Sequence, residues 1–373
     1  MAVKINNLKI FKESKDRIVK IPSFTTEGKF YEVNLTKRTC TCPAFKKGMF
    51  CKHLQYALGI KTGMEIGGRK IFSISLLKSA LQKAVRRNEK EKAVRCAKSL
   101  IELDEYQILR RLPVIILEDG LLHPNFAKII EILKRESKKF GKRMTEEEKD
   151  MIIQTVAEVA ECEWRDNWVD EDEGVIENQE ELEAEEFLLA GNWEKINELP
   201  KEEKELVLAI KYRASIGGMK GDVVMLNHYA NLWAKRFIKR EWTIEKLKSY
   251  FKPSNLKFEE VKGAEIEDIP LTAVDMHCSP LLDILLKKEN VVKILIENFP
   301  EAKNNLKEKL NDLLWRQMSS VNFKKEIGSG KQRDWYEKGR GRFVDRQKEE
   351  RVFNFIKDEI GKIQKWFLQR QIR

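Results

Sequence analysis

Three cysteines and a histidine fall within one short stretch, as Cys40-Thr41-Cys42, eight intervening residues, then Cys51-Lys52-His53. No other feature limits the folding of this chain so strongly. Zinc takes four N or S donors at tetrahedral corners, and two i, i+2 pairs supply them only if the chain doubles back between the pairs. Pro43 stiffens the exit from the first pair, and Gly48 permits a tight reversal. Phe45 and Phe50 can form a minimal core beneath the metal. A unit with so little apolar area depends on Zn2+ for much of its stability. Cys40, Cys42, Cys51 and His53 are therefore the expected ligands. Since protein fills all four corners, no position is left for water, and the metal is expected to be structural. Three of the six cysteines fall within twelve residues beside a histidine while Cys96, Cys162 and Cys278 are scattered, and that distribution is metal arithmetic, not a disulfide framework.

The pattern C-x-C-x8-C-x-H, with CPAF and CKH around the ligands, resembles the SWIM zinc finger across residues 29–60. The resemblance implies a module that binds DNA or mediates protein contacts. Such modules occur in transposase-like, helicase-associated and recombination-related proteins. Lys37, Arg38, Lys46, Lys47 and Lys52 surround the ligands and would give the module a cationic rim suited to phosphates.

Charge is unevenly distributed around the net +11. Residues 1–100 carry 23 basic and 7 acidic groups, an excess of +16, and residues 146–199 carry 3 and 20, giving −17. From Lys324 onward the count is 15 against 8, or +7. This polarity suggests a basic working end, an acidic middle and a basic tail, although solvated helix faces account for some of it. No apolar run approaches the roughly 18–20 residues of a membrane-spanning helix, and the first twenty residues lack the apolar stretch of a secretory signal. The expectation is a soluble, intracellular protein without membrane contact.

The fold class expected is mainly α: a multidomain helical protein with a small N-terminal ββα-like zinc-binding module. The alternation in KFYEVNL, residues 29–35, suits a short strand leading into the cysteines. From Ser73 the pattern turns helical. Ser73 is a plausible N-cap, with Leu76, Leu77, Ala80, Leu81 and Ala84 on one face. The next helix places Ala93, Val94, Ala97, Leu100 and Ile101 together, and Pro113 is expected near the start of the one after. Helices separated by Pro200 and the turn Gly217-Gly218 follow. The expected division is a zinc module over 1–66, a helical domain over 67–165, an acidic linker over 166–186, a second helical domain over 187–322, and a basic loop with a last helix over 323–373.

Residues 79–126 resemble the helical C-terminal region of the RarA/MgsA-type replication-fork ATPases. The likeness rests on Leu81, Gln82, Lys83, Ala84, Arg86, Arg87, Arg110, Arg111, Leu112, Glu118 and Asp119. It implies subunit assembly and fork-related contacts. The chain has no G-x-x-x-x-G-K-[ST], so that family's ATPase half is absent. The turn Gly217–Asp222 lacks the Walker Ser/Thr and reads as a helix connection. Arg110 and Arg111 could equally be ion-pair partners of Glu118 and Asp119.

Other groups carry less. A His277-Cys278 pair beside Asp275 is usually core, and Asp166, Asp170, Asp172 and Glu173 resemble a solvated linker more than a nuclease site. The eight tryptophans sit mostly at helical spacing, as packing residues do. Trp335 and Tyr336, among Arg333, Lys338, Arg340 and Arg342, could instead stack on unpaired bases. Expected nucleic-acid contacts are thus Lys37, Arg38, Lys46, Lys47, Lys52, Arg69, Lys70, Arg86, Arg87, Arg333, Trp335, Arg340 and Arg342. The reading is a non-enzymatic, zinc-dependent nucleic-acid-binding accessory factor in replication, recombination or repair, with DNA ahead of RNA. Replication or repair proteins are possible further partners, and an oligomer is possible. A protein-binding adaptor is the competing class, and a nuclease or transposase-like enzyme the third.

Overall fold

A computed structural model of the chain describes residues 18–23, 29–37, 39–46, 51, 53–54, 57, 72–138, 144–166, 193–218, 220–254, 256–275, 278–318, 322–330, 332 and 346–370. Contacts divide the chain after Phe72 into a small N-terminal unit and a large helical one.

The small unit is built on a three-stranded antiparallel sheet in the order β1-β2-β3, with β1 Ile18–Pro22, β2 Phe30–Asn34 and β3 Thr39–Cys40. Alternation in the sequence decides its faces: Val19 and Val33 are register partners, and with Ile21 and Leu35 they are buried together. The Asn34 side chain accepts from the Thr36 and Lys37 backbone N–H groups, and this Asx turn leads the chain from β2 to β3. The short helix α1, Pro43–Lys46, follows Cys42. The β2 strand lies where the alternation predicts it. β1 was not anticipated, so the module has one strand more than a ββα unit.

The helical unit starts with α2, Ile74–Arg86, and α3, Lys90–Leu103. The Ser73 hydroxyl accepts from the Leu76 N–H, so the cap expected from sequence is made, and both predicted apolar stripes are buried. Asp104 caps α4, Glu105–Asp119. Pro113 lies inside α4 and not near its start. The proline ring removes the N–H that would serve the Leu109 carbonyl, and in the same turn the Arg110 carbonyl accepts two N–H bonds from the Arg213 guanidinium at 3.1 and 3.0 Å. Next come α5, Phe126–Lys138, and α6, Glu146–Glu161, the latter with a Thr145–Glu148 capping box.

After residue 192 the chain continues as α7, Trp193–Glu198, α8, Lys201–Ser215, and α9, Lys220–Ile238. Gly217 and Gly218 at φ +77° and +154° make the turn between the last two, a conformation that side chains resist. α10, Ile244–Lys248, leads through short 3-10 turns to α11, Leu281–Leu285, α12, Glu289–Asn298, α13, Leu306–Met318, and the long α14, Arg346–Arg370. A second apolar cluster, with Leu285, Leu295, Leu313, Val352, Ile356 and Ile360, joins these C-terminal helices.

Helices from both sides of residues 167–192 belong to one compact unit. Two polar ties show how. Asp166, taken from sequence as the first residue of a linker, is buried and accepts both terminal nitrogens of Arg236 on α9, at 2.6 and 3.0 Å. Strands β4, Trp164–Arg165, and β5, Lys325–Glu326, pair in parallel, and Arg165 meets Glu326 at 2.7 Å with both side chains out of solvent. The remainder of the expected acidic linker, 167–186, lies outside the described residues. No helix is long and apolar enough to cross a membrane among those described.

Candidate metal centre

The two ligand pairs arrive from different kinds of local structure. Cys40 ends β3, held in register by Val33 of β2, and Cys42 stands just before α1. Cys51 precedes a turn in which His53 and Leu54 are helical. The donor atoms of Cys40, Cys42, Cys51 and His53 all lie within 4.8 Å of one another. Cys42 Sγ and Cys51 Sγ are 3.4 Å apart, and Cys51 Sγ is 4.0 Å from His53 Nδ1. Donors about 2.3 Å from a tetrahedral zinc stand roughly 3.8 Å from each other, so the cage already has the size of the ion. Among the described residues this is the one convergent set of metal-type donors.

Backbone N–H groups point at the sulfurs. Cys42 N donates to Cys40 Sγ at 3.5 Å, Phe45 N to Cys42 Sγ at 3.4 Å, and Leu54 N to Cys51 Sγ at 3.3 Å. Such bonds favour thiolate over thiol. Burial opposes them: it pushes the Cys40 thiol up to about 12, with the Cys42 backbone N–H pulling the other way. Burial also raises Cys51 and lowers His53. A dication at the centre reverses that balance by displacing the thiol protons. Tyr31 of β2 lies against the His53 ring, 4.6 Å between centroids, and so fixes the plane of the imidazole. Sequence reasoning did not single out Tyr31. Its signal was the alternation that puts it on the same strand face as Val33.

The donor chemistry, three sulfurs and one imidazole in a cage of zinc dimensions, fits Zn2+ as a structural ion with no open coordination position. Residues 31–54 match the family model of the SWIM zinc finger. The chain carries a SWIM zinc finger. Comparison with curated proteins returns no match, and comparison with solved structures returns none. The likeness of residues 79–126 to the replication-fork ATPases thus has no support beyond its own residues.

Around the SWIM finger, Lys37 lies in the turn after β2 and Lys46 ends α1, and both are exposed. Phe45 packs against the core of the module, as expected. Arg38, Lys47, Phe50, Lys52, Arg69 and Lys70 lie outside the described residues, as do Arg333, Trp335, Tyr336, Arg340 and Arg342. Arg87 is half-buried and donates to the Lys83 carbonyl.

Arg86 is not at the surface. It is buried, its Nε donating to Asp119 and its Nη2 to Glu118 at 3.1 Å. Gln82 joins the same group, donating to Glu118 at 2.9 Å and Asp119 at 2.6 Å, and Arg111 donates to the Gln82 side-chain carbonyl. The motif LQKAVRR and the acidic pair therefore make an interior polar network. A guanidinium withdrawn from solvent and held by two carboxylates is not presented to a phosphate.

Asp275 pairs with buried Lys83 at 2.6 Å and accepts from the Ser79 hydroxyl at 3.0 Å, while Cys278 Sγ donates to the Ala273 carbonyl. His277 lies outside the described residues. Trp233 and Trp242 are core, whereas Trp193 and Trp366 are 47% and 42% exposed, contrary to a pure packing role.

Proposed function

We propose that this chain is a zinc-dependent nucleic-acid-binding accessory factor, DNA before RNA, acting in replication, recombination or repair without enzymatic activity of its own. The observation that carries the reading is a closed metal cage whose ligands are flanked by the exposed cations Lys37 and Lys46, within a sequence segment of excess +16. A closed cage makes a rigid surface and does no chemistry. A rigid surface edged with cations meets phosphates, and phosphates are what every nucleic acid presents.

SWIM fingers also serve protein contacts, and an adaptor is the second reading; the exposed Phe30 and Ile18 on the outer face of the sheet favour it. Salt separates the two. Each phosphate neutralised releases counterions, so log affinity falls with log salt at about −0.7 to −0.9 per contact. Binding to single-stranded, duplex and forked DNA and to RNA is measured across a salt series. Replacing Lys37, Arg38, Lys46, Lys47 and Lys52 with Gln should weaken all sequences alike and flatten the slope. Weak affinity that ignores these substitutions would discard the nucleic-acid reading in favour of the adaptor.

A further inference from the structure

Helix α12 carries apolar side chains on two faces, and the core uses one of them. Val291 and Leu295 are fully buried in the C-terminal cluster, with Ile294 packed beside them. Val292 and Ile296, one turn apart on the neighbouring face, are half-buried and are not among the described side chains packed on that cluster. A helix that is apolar all round is normally covered all round. Here the second face instead forms the floor of an open groove of about 430 Å³, together with Leu286 from the turn between α11 and α12.

Four charged side chains line the same groove. Along the chain they run Lys287, Glu289, Lys293, Glu297, alternating positive and negative, and all are exposed. Their one ion pair among the described residues is a loose i, i+4 contact between Lys293 and Glu297 at 3.8 Å, with the two side chains 76% and 53% exposed. Lys288 is engaged elsewhere, meeting Glu359 of α14 at 2.5 Å. One turn before Glu359 stands Phe355, 51% exposed, which extends the apolar surface at this end of the groove.

A row that reads plus, minus, plus, minus inverts its signs when reversed. The same row laid antiparallel on itself therefore sets Lys287 against Glu297 and Glu289 against Lys293, each pair occurring twice. The two-fold axis of that arrangement falls close to Val292, which puts apolar side chains at the centre and charges at the rim. A parallel copy in register would oppose like charges throughout. We propose that this groove is an isologous interface whose occupant is α12 of a second copy of the chain. A ten-residue helix offers much less than the roughly 800 Å² per partner of a tight complex, so the association is weak and reversible. Pairing of this kind needs neither the zinc finger nor a nucleic acid, so it stands or falls apart from the function proposed above.

The full zinc-loaded chain is followed by sedimentation velocity from about 1 to 200 μM, where a reversible monomer–dimer equilibrium with a Kd on the order of tens of micromolar is expected. Glu289→Lys and Lys293→Glu each turn two attractive contacts of the dimer into repulsive ones, and each should weaken it about tenfold or more. Both positions are exposed, so the helical circular dichroism and melting of either variant should match wild type. An equimolar mixture of the two variants should dimerise again as wild type does, because every opposed pair in a mixed dimer is of unlike charge. Damage to folding would not be repaired by mixing, so recovery supports the pairing itself. A wild type still monomeric at the highest concentration would overturn it and leave the groove to another segment of the chain or to a different protein. So would a dimer that neither variant weakens, since it must use another face, or a loss in both variants that mixing does not restore.

Discussion

Arg86 donates to Asp119 and Glu118 from inside the helical unit, where the Asp119 side chain is almost wholly withdrawn from water. Removing the cation alone strands buried carboxylates. Arg86→Met should therefore cost about 3–5 kcal/mol in urea unfolding, and adding Asp119→Leu should return part of that loss. If Arg86→Met is neutral, the network is not the buried one described. Burial raises Glu118 to about 7, with Asp119 adding to it. A carboxyl raised above its unfolded value stabilises fully at acid pH and loses that contribution as pH climbs towards 7. At the metal, His53→Ala removes one of four donors, and zinc content measured on anaerobically purified protein should fall from one per chain to well below one. Full retention would mean that another residue supplies the fourth corner.

Among the elements, the two-residue strand β5 is tied down by Lys324. Its ammonium is buried, without a carboxylate partner among the described residues. It donates to the carbonyls of Val159, Ala160 and Cys162 at the end of α6, at 2.9, 3.2 and 2.5 Å, and to Asn88 Oδ1 at 2.8 Å. A cation there satisfies carbonyls that the helix leaves open and meets the negative end of its dipole. Lys324→Met should lower stability by a few kcal/mol, roughly the cost of several orphaned buried acceptors. Burial also lowers Lys324 from 10.5 to about 8. A lysine lowered in the folded state gains stability as pH rises through about 8 towards 10.5, because the unfolded chain then holds the extra proton. The stability gap between wild type and Lys324→Met should thus widen over that window in paired urea titrations. A gap that narrows would show the ammonium to be favoured by its carbonyls over water.

For the whole molecule, the division after Phe72 separates a unit organised by a metal from one organised by apolar helix faces. Chelation of zinc from the intact chain should abolish the chemical-shift dispersion of Tyr31 and Val33 while leaving the helical circular dichroism within about a tenth of its starting value, since structural zinc supplies folding energy locally. A parallel loss of helix signal would mean that the helical unit depends on the zinc finger.

The zinc ligands were legible from spacing because coordination geometry leaves four donors little freedom, and the apolar faces of α2 and α3 were legible because helical period and burial coincide. β2 was legible from alternation, whereas β1 was not, because IVKIP is too short to separate from a buried apolar run. Nothing local distinguishes Arg86, which is buried, from Arg110, which stays half-exposed over Tyr106; each stands in an arginine pair on a helix. Their roles depend on which carboxylates other helices bring near, Asp119 and Glu118 to the first and none to the second. Pro113 inside α4, Asp166 on Arg236 and Lys324 beneath α6 are of the same kind. Charge and hydrogen-bonding capacity are written in the sequence, but partners tens or hundreds of residues away are chosen by packing, and so only the tertiary structure decided them.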